Sequence, residues 1–418
     1  MRKSLPEAGQ DWAALESTLA DAGVRDVRWR DGRAMVYVFH SGEDVMQVAH
    51  DAYGMFIAEN GLGPAAFPSL KRMESEVVDI ALSLQQAPAD ATGCMTSGGT
   101  ESILLAMKAC RDWSQRHRPV LGTPKVVVPY SAHPAFNKGA HLMGLEVQRL
   151  PLQGDFTADV QAMADAVDAR TIMLVGSAPC FPYGVIDPIR DLGALAVERG
   201  LWLHVDACVG GYLSPFMAEV RAGAGLPPLP AWDFSLPGVS SMSLDLHKYG
   251  YTAKGASTVL YRDRAFYSAQ VFDFDDWPCG RMNTPTFAGT RPGGAIAAAW
   301  AVLHYLGRAG YVAKAGAIHR ARERLRAFCA RLDLPVYGEP LLSILAFGDR
   351  QGDILAAGQG LYKAGWFSSR VQNPDGIQVM LSPGHEPVLD GYLDELERQI
   401  VAVRASGGRA QDRDIRYS

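Results

Sequence analysis

The 418-residue sequence predicts a doubly wound α/β fold: a mostly parallel central sheet with helices on both faces, followed by a smaller α+β domain. Three observations carry that expectation. From about residue 86, short β-branched runs alternate with Ala- and Leu-rich stretches, the pattern of the crossover connections that parallel strands require. Many of the 43 glycines gather in motifs between those segments, where backbone can approach a ligand closely. After about residue 310 the alternation gives way to a long charged helical stretch, short strands and a final helix.

Taken in order, residues 8–22 read as an amphipathic helix with Trp12, Leu15, Leu19 and Ala20 on one face. A helical pattern then runs from Val45 to Leu84, broken by the Gly/Pro loop at Asn60–Pro68. Strands are expected at Lys125–Pro129, Glu146–Leu150, Thr171–Val175, Leu201–Val205, Ser241–Leu244 and Ala256–Tyr261. Helices are expected at Thr100–Arg116, Pro134–Met143, Val160–Ala169, Ile189–Arg199 and Gly294–Leu306. Ala317–Leu332 and Glu386–Ala405 are the helices of the last domain. The expected partition is a helical arm over 1–85, a large domain over 86–310, a small α+β domain over 311–405 and a disordered tail over 406–418.

Composition excludes several classes. Hydrophobic residues at 48% and charged residues at 20% rule out a disordered chain. A net charge of −5 with no basic stripe argues against nucleic acid as a partner. Cys94, Cys110, Cys180, Cys208, Cys279 and Cys329 are scattered without a CxxC pair, so neither a metal site nor a disulfide framework is expected. The N-terminus shows no signal-peptide pattern, and the longest apolar run, Ala295 to Leu303, is far short of the roughly 20 residues of a membrane helix. The expectation is a cytoplasmic enzyme.

The stretch Ser241–Gly250 reads Ser-Met-Ser-Leu-Asp-Leu-His-Lys-Tyr-Gly. A strand ends here with His247-Lys248 at its C-terminal edge, the edge at which open α/β sheets bind ligands. Beside the apolar Leu244 and Leu246, the Lys248 amine is expected to be partly desolvated, with a lowered pKa, as attack on an aldehyde cofactor requires. A surface lysine after a strand is the plainer alternative. Asp206 ends the apolar strand Leu201–Val205, where a carboxylate suits the protonated nitrogen of a pyridine ring, and the small Ala207 leaves room for a flat ring. A turn or helix-capping aspartate looks the same. Thr96-Ser97-Gly98-Gly99-Thr100-Glu101-Ser102 precedes an apolar helix, so its backbone N–H groups, hydroxyls and helix dipole form an anion site or an ordinary capping box. His133, after the strand Lys125–Pro129, is placed to stack on a ring or to serve as a structural histidine. Gly289-Thr290-Arg291-Pro292-Gly293-Gly294 opens an Ala-rich helix and is a second candidate anion loop.

Together these motifs resemble the pyridoxal-phosphate enzymes of fold type I, in the group II decarboxylase superfamily, and within it the sphingosine-1-phosphate lyases. The resemblance runs over Phe67–Glu76, Thr96–Ser102, Ser131–Phe136, Gly176–Pro188, His204–Tyr212, Ser241–Gly255, Ala288–Trp300 and Leu381–Val388. It implies that Lys248 forms the Schiff base with pyridoxal 5'-phosphate in the large domain, that Asp206 pairs with the pyridinium nitrogen and that His133 stacks on the ring. By the same resemblance Ser97, Gly98, Gly99, Thr100 and His247 lie around the cofactor phosphate, and Ser177, Ala207 and Tyr183 lie near the cofactor. Gly289 and Thr290 would reach that phosphate from the neighbouring subunit of a homodimer, and Lys254 would be a second active-site lysine.

The implied activity is retro-aldol cleavage of a 2-amino-3-hydroxy substrate, with Lys254, Tyr183 or a cofactor phosphate oxygen as base. The alternative is α-decarboxylation of a non-phosphorylated amino acid. A non-catalytic homologue would lack Lys248 or Asp206, and both are present. The substrate is expected to be a small amine or amino acid, phosphorylated or lipid-like, contacted by His40, Asn60, Tyr183 and Lys254. Departures fall on the phosphate-recognising segment of the lyases: Gly63 and Ala65 stand where a histidine and an aspartate are usual, and the usual tyrosine position falls on His40 without a gap and on Tyr37 only with one. Leu246 replaces the usual threonine, and the membrane anchor of the eukaryotic lyases has no counterpart here.

Overall fold

The structure, a computed structural model, describes residues 2–411 and 413. Three helices lead: α1 (Trp12–Ala22), α2 (Glu43–Met55) and α3 (Pro68–Leu84). The large domain follows as β1 (Thr92–Thr96), α4 (Gly99–His117), β2 (Lys125–Pro129), α5 (Ala135–Met143), β3 (Glu146–Leu150), α6 (Val160–Asp165), β4 (Thr171–Ser177), α7 (Ile189–Arg199), β5 (Trp202–Asp206), α8 (Ser214–Gly223), β6 (Val239–Leu244), β7 (Ser257–Tyr261) and α9 (Arg264–Gln270). A short hairpin, β8 (Phe272–Phe274) and β9 (Met282–Thr284), leads into α10 (Gly293–Arg331). The chain ends with β10 (Ile344–Phe347), α11 (Ile354–Lys363), β11 (Ser369–Val371), β12 (Gly376–Met380) and α12 (Leu389–Ser406).

The central sheet has seven strands in the order β1-β7-β6-β5-β4-β2-β3. Strands β6, β5, β4, β2 and β3 pair in parallel, and β7 runs antiparallel to both its neighbours. β2, β4, β5, β6 and β7 are buried along their whole length, which is why they read as largely apolar or small-residue runs rather than as alternating ones. A separate antiparallel sheet, β10-β12-β11, carries the last domain. Among the described residues no helix is long and apolar enough to cross a membrane.

The α/β class holds, and the differences from expectation have local causes. Edge strand β1 was not expected: Thr-Gly-Cys-Met-Thr has no β-branched run, and its Gly93 is there because a Cβ would lie 2.4 Å from the carbonyl oxygen of Val259 on β7. Both helices expected at Gly294–Leu306 and Ala317–Leu332 are present within α10: they meet at a kink at Gly307, whose positive φ of 54° breaks the helical path, and the second begins well before Ala317. The helix expected over Val160–Ala169 stops at Asp165. The last helix starts at Leu389, because Pro383–Val388 is a 3₁₀ turn containing Pro387. The amphipathic face of α1 is real as a pattern, but Trp12, Leu15 and Leu19 are exposed on the chain. Part of the segment expected to be disordered is packed: Ser406 ends α12, and Arg413 pairs with Asp353 and Asp375. Residues 412 and 414–418 lie outside the described residues.

β6 ends at the site, so its packing bears on function. Leu244 is fully buried in the sheet core, and Leu244→Ala is expected to cost about 3 kcal/mol through lost apolar burial and a residual cavity. A lowered thermal midpoint in scanning calorimetry checks this.

Candidate active site

The parallel strands deliver their C-terminal ends to one edge of the sheet. Ser177 ends β4, Asp206 ends β5, Asp245-Leu246-His247-Lys248 follows β6, and His133 follows β2. Together with Ser97, Gly98, Gly99 and Thr100 at the start of α4, these residues line a cleft of about 400 Å³.

Lys248 Nζ lies 2.9 Å from Asp245 Oδ2, and the carboxylate is buried. Burial pulls the Lys248 ammonium down, but Asp245, with Cys208 and Asp206 near it, more than reverses this, so its pKa is raised. Burial also opposes the Asp245 charge, yet Lys248, His247 and the Ser257 hydroxyl hold its pKa below the ordinary carboxylate value. The expectation of a lowered Lys248 pKa is therefore corrected. Leu244 and Leu246 both point into the core, whereas the intervening Asp245 faces the lysine.

Asp206 Oδ1 accepts from the Cys208 N–H at 3.1 Å and from Ser243 Oγ at 3.4 Å, which fixes the carboxylate at the floor of the cleft. His133 Nδ1 accepts the Ala135 N–H at 3.1 Å. Burial lowers the His133 pKa against the opposing pull of Asp206, so the ring is neutral at neutral pH. Asp187, to which the sequence reading gives no role, is fully buried and holds the end of β4. Its carboxylate accepts from the Ser177 N–H at 2.7 Å and the Ala158 N–H at 2.8 Å, and burial pushes its pKa up to about 7.

The phosphate loop is shaped by close contact. A Cβ on Gly99 would lie 2.5 Å from Cys208 Sγ and within 3.0 Å of both Asp245 oxygens, so only glycine fits. Glu101 accepts the Ser97 N–H at 2.7 Å and the Phe287 N–H at 3.0 Å, while the first N–H groups of the 19-residue α4 have no carbonyl one turn back. Against this loop, beside Gly98, lies His247, whose buried Nδ1 has no hydrogen-bond partner among the described residues. An orphaned imidazole nitrogen, a helix start, a lysine and a buried carboxylate in one cleft fit a phosphorylated pyridine aldehyde.

A family model for the pyridoxal-dependent decarboxylase conserved domain matches residues 1–332. Mouse sphingosine-1-phosphate lyase 1 is 38% identical over 404 residues, covering 96% of this chain and 70% of the mouse protein. The chain belongs to the sphingosine-1-phosphate lyase family. It is a pyridoxal-phosphate-dependent lyase of fold type I. The solved structure of a Burkholderia pseudomallei sphingosine-1-phosphate lyase superposes with a TM-score of 0.92 at 37% identity, covering 97% of this chain and 94% of that one. Glutamate decarboxylase from Lactobacillus brevis shares the fold, with a TM-score of 0.84 at 18% identity over 97% and 96% of the two chains.

Other sequence candidates of this lyase lie elsewhere. Lys254 lines a second, mostly apolar groove of about 690 Å³ with Tyr37, Phe39, His40, Tyr53 and Tyr251, and His247 is common to groove and cleft. Lys254 Nζ donates to the His247 carbonyl at 3.2 Å and lies 4.9 Å from the Phe39 ring centre. Its side chain is reached by solvent, but the surrounding protein and the Lys248 charge lower its pKa to about 8. His40 lies 3.7 Å from Glu43 and edge-on to Trp29. Tyr183 is not in the Lys248 cleft. Its hydroxyl donates to the Asn373 carbonyl at 2.8 Å, and burial pushes its pKa up to about 12, which removes it as a base. Ala207 is buried behind the lining, its N–H donating to Ser243. Asn60, Gly289 and Thr290 are not in the lining of this chain's own cleft: Asn60 bridges to Pro292, and Gly289 faces Leu62.

Asp245 and Asp187 carry no role in the sequence reading. Asp245 sits three residues before Lys248, a spacing that could have signalled an ion pair.

Gly99→Ala is expected to weaken pyridoxal phosphate binding by at least about tenfold, a loss of roughly 1.4 kcal/mol, because the added methyl displaces Asp245 or Cys208. Titration of the visible absorbance of the bound cofactor checks this.

Proposed function

We propose that this enzyme cleaves the Cα–Cβ bond of a 2-amino-3-hydroxy amine that carries a long apolar tail and a phosphate on its amine-bearing end. The products are an aldehyde and an amine such as phosphoethanolamine. The observation that carries this reading is the junction at His247, where the Lys248 cleft meets the apolar groove. Val38, Phe39, Met46, Ala49 and Ile57 offer an alkyl chain an apolar wall, and the relatives named above are called lyases of sphingosine 1-phosphate.

In this reading Lys248, Asp206, His133, His247 and the loop Ser97–Thr100 hold the cofactor. Bound pyridoxal phosphate supplies a sink for the electron pair left on Cα. Asp206 keeps a ring nitrogen protonated by placing a fixed anion at the end of β5, and neutral His133 walls one side of the cleft. Lys254, lowered toward neutrality, takes the proton from the substrate β-hydroxyl as the carbon–carbon bond breaks. Lys248 returns a proton to the amine fragment. Asn60, Gly289 and Thr290 act across a homodimer interface. Phe272, Phe274, Trp277 and Phe287, exposed on the single chain around that loop, are the apolar surface such an interface buries. The six free cysteines are consistent with action in the cytoplasm.

Purified enzyme is expected to release aldehyde from phosphorylated long-chain 2-amino-3-hydroxy amines faster than from their unphosphorylated forms. Release of carbon dioxide from amino acids without aldehyde release would instead favour the decarboxylase reading. Lys248→Ala should abolish the visible cofactor band. Sedimentation should give twice the 45.2 kDa chain mass, and a monomer would remove the shared site. With Lys254 as base, kcat rises with pH through about 8, because the neutral amine is the active form above its pKa. Lys254→Gln should flatten that rise and lower kcat more than it raises KM. The reverse split would make Lys254 a phosphate-binding cation.

A further inference from the structure

We propose that Asp245 is a positioning residue for cofactor capture, one buried carboxylate that holds both the Lys248 ammonium and the His247 ring and ties them to the phosphate loop. The geometry is specific. Asp245 Oδ2 lies 2.9 Å from Lys248 Nζ and 3.7 Å from His247 Nε2. Its Oδ1 accepts a 2.5 Å hydrogen bond from Ser257 on β7. Ser257 Oγ is 3.1 Å from Ser102 Oγ on α4, which is 2.6 Å from Thr96 Oγ1 at the end of β1. These buried hydroxyls connect the carboxylate to both ends of the Thr96–Ser102 loop. Gly99 lies close to the same carboxylate: a Cβ there would come within 3.0 Å of both its oxygens.

The arrangement answers a charge problem. Before Lys248 can attack an aldehyde its nitrogen must give up a proton, and Asp245 opposes that loss by stabilising the ammonium. Once the lysine nitrogen is engaged elsewhere, a buried carboxylate without a cation would be costly. His247 is the adjacent group able to take over. Burial and the Lys248 charge hold the His247 pKa down while the ammonium is present, and the proton that leaves Lys248 passes to His247, so that Nε2–H faces Asp245 and the orphaned Nδ1–H donates to a phosphate oxygen. One carboxylate thus changes cation as the cofactor is captured, and the histidine gains its second donor only then. The other ionisable groups around the pair are Asp206 and Cys208 beyond β5, His133 after β2, and Lys254 on the same loop. Glu101 of α4 is already committed to the backbone of Ser97 and Phe287.

The assignment rests on Lys248 as the attachment point. The test uses full-length apoenzyme and free pyridoxal phosphate, following the visible band over a range of pH and then its loss on dilution. Asp245→Asn should move the pH of half-maximal capture rate down by about one unit or more, because the charge that favours the ammonium is gone. It should also speed cofactor loss by at least about tenfold, because His247 loses its anion. A capture midpoint and loss rate equal to wild type would overturn the proposal, whatever happens to turnover. Should circular dichroism show Asp245→Asn to be unfolded, Ser257→Ala decides. It keeps the carboxylate but cuts its tie to the loop, so cofactor loss should be several-fold faster at an unchanged melting temperature, and a wild-type loss rate would overturn the proposal. A Lys248→Ala protein that kept the band would defeat the reading of the site itself. A blank Lys248→Ala protein beside an unmoved Asp245→Asn midpoint would defeat only the role of Asp245.

Discussion

The whole site depends on one buried charge arrangement: Lys248 held against Asp245 at the end of β6, with Asp206 one strand away. A buried ion pair is weak evidence for stability, since desolvating both partners offsets much of their attraction. Its retention here makes sense as a device for orientation. The pair points the lysine along the sheet edge, and the carboxylate reaches the phosphate loop through Ser257, Ser102 and Thr96. Loop, lysine and histidine are therefore connected through one carboxylate across four different elements.

The sheet supplies the second constraint. Parallel strands end on the same edge, so residues from β4, β5 and β6 and the segment after β2 meet although they are far apart in sequence. Antiparallel β7 is inserted between β1 and β6, and it does two things. It places Ser257 beside Asp245, and it carries β1, with the loop that follows, into register with the cleft. Helix α2, the segment Tyr37–Gly42 before it and the loop Tyr251–Lys254 then build the apolar groove on the far side of His247. Cleft and groove share a single side chain, His247.

The fold class was legible because fully buried strands such as Val126–Val128 and Met173–Val175 leave an unmistakable apolar imprint between helical runs. The edge strand Thr92–Thr96 was not, because its pairing is secured by a close glycine contact with β7 rather than by β propensity. Gly307, by contrast, reads as a helix end and is one, since its positive φ kinks α10 between two helical parts. In the site, Lys248, Asp206, His133, His247 and Gly99 were identified from motif and position, and the structure gathers them into one cleft. Tyr183 was not separable from them by sequence. Its loop approaches the cleft, but its hydroxyl turns to the Gln372–Asn373 carbonyls of the last domain, a contact between residues nearly two hundred positions apart.

By itself, the sequence determined the cofactor chemistry and the family, because residue identity is what makes a Schiff-base lysine, a ring-pairing carboxylate and a glycine loop recognisable. Only the tertiary structure decided the protonation of those groups. A lysine that follows two leucines closely looks desolvated in one dimension. In three, the leucines face the core and Asp245 faces the lysine, so the same position holds a stabilised ammonium. Charge state follows from distance and burial, and neither is carried by the order of residues along the chain.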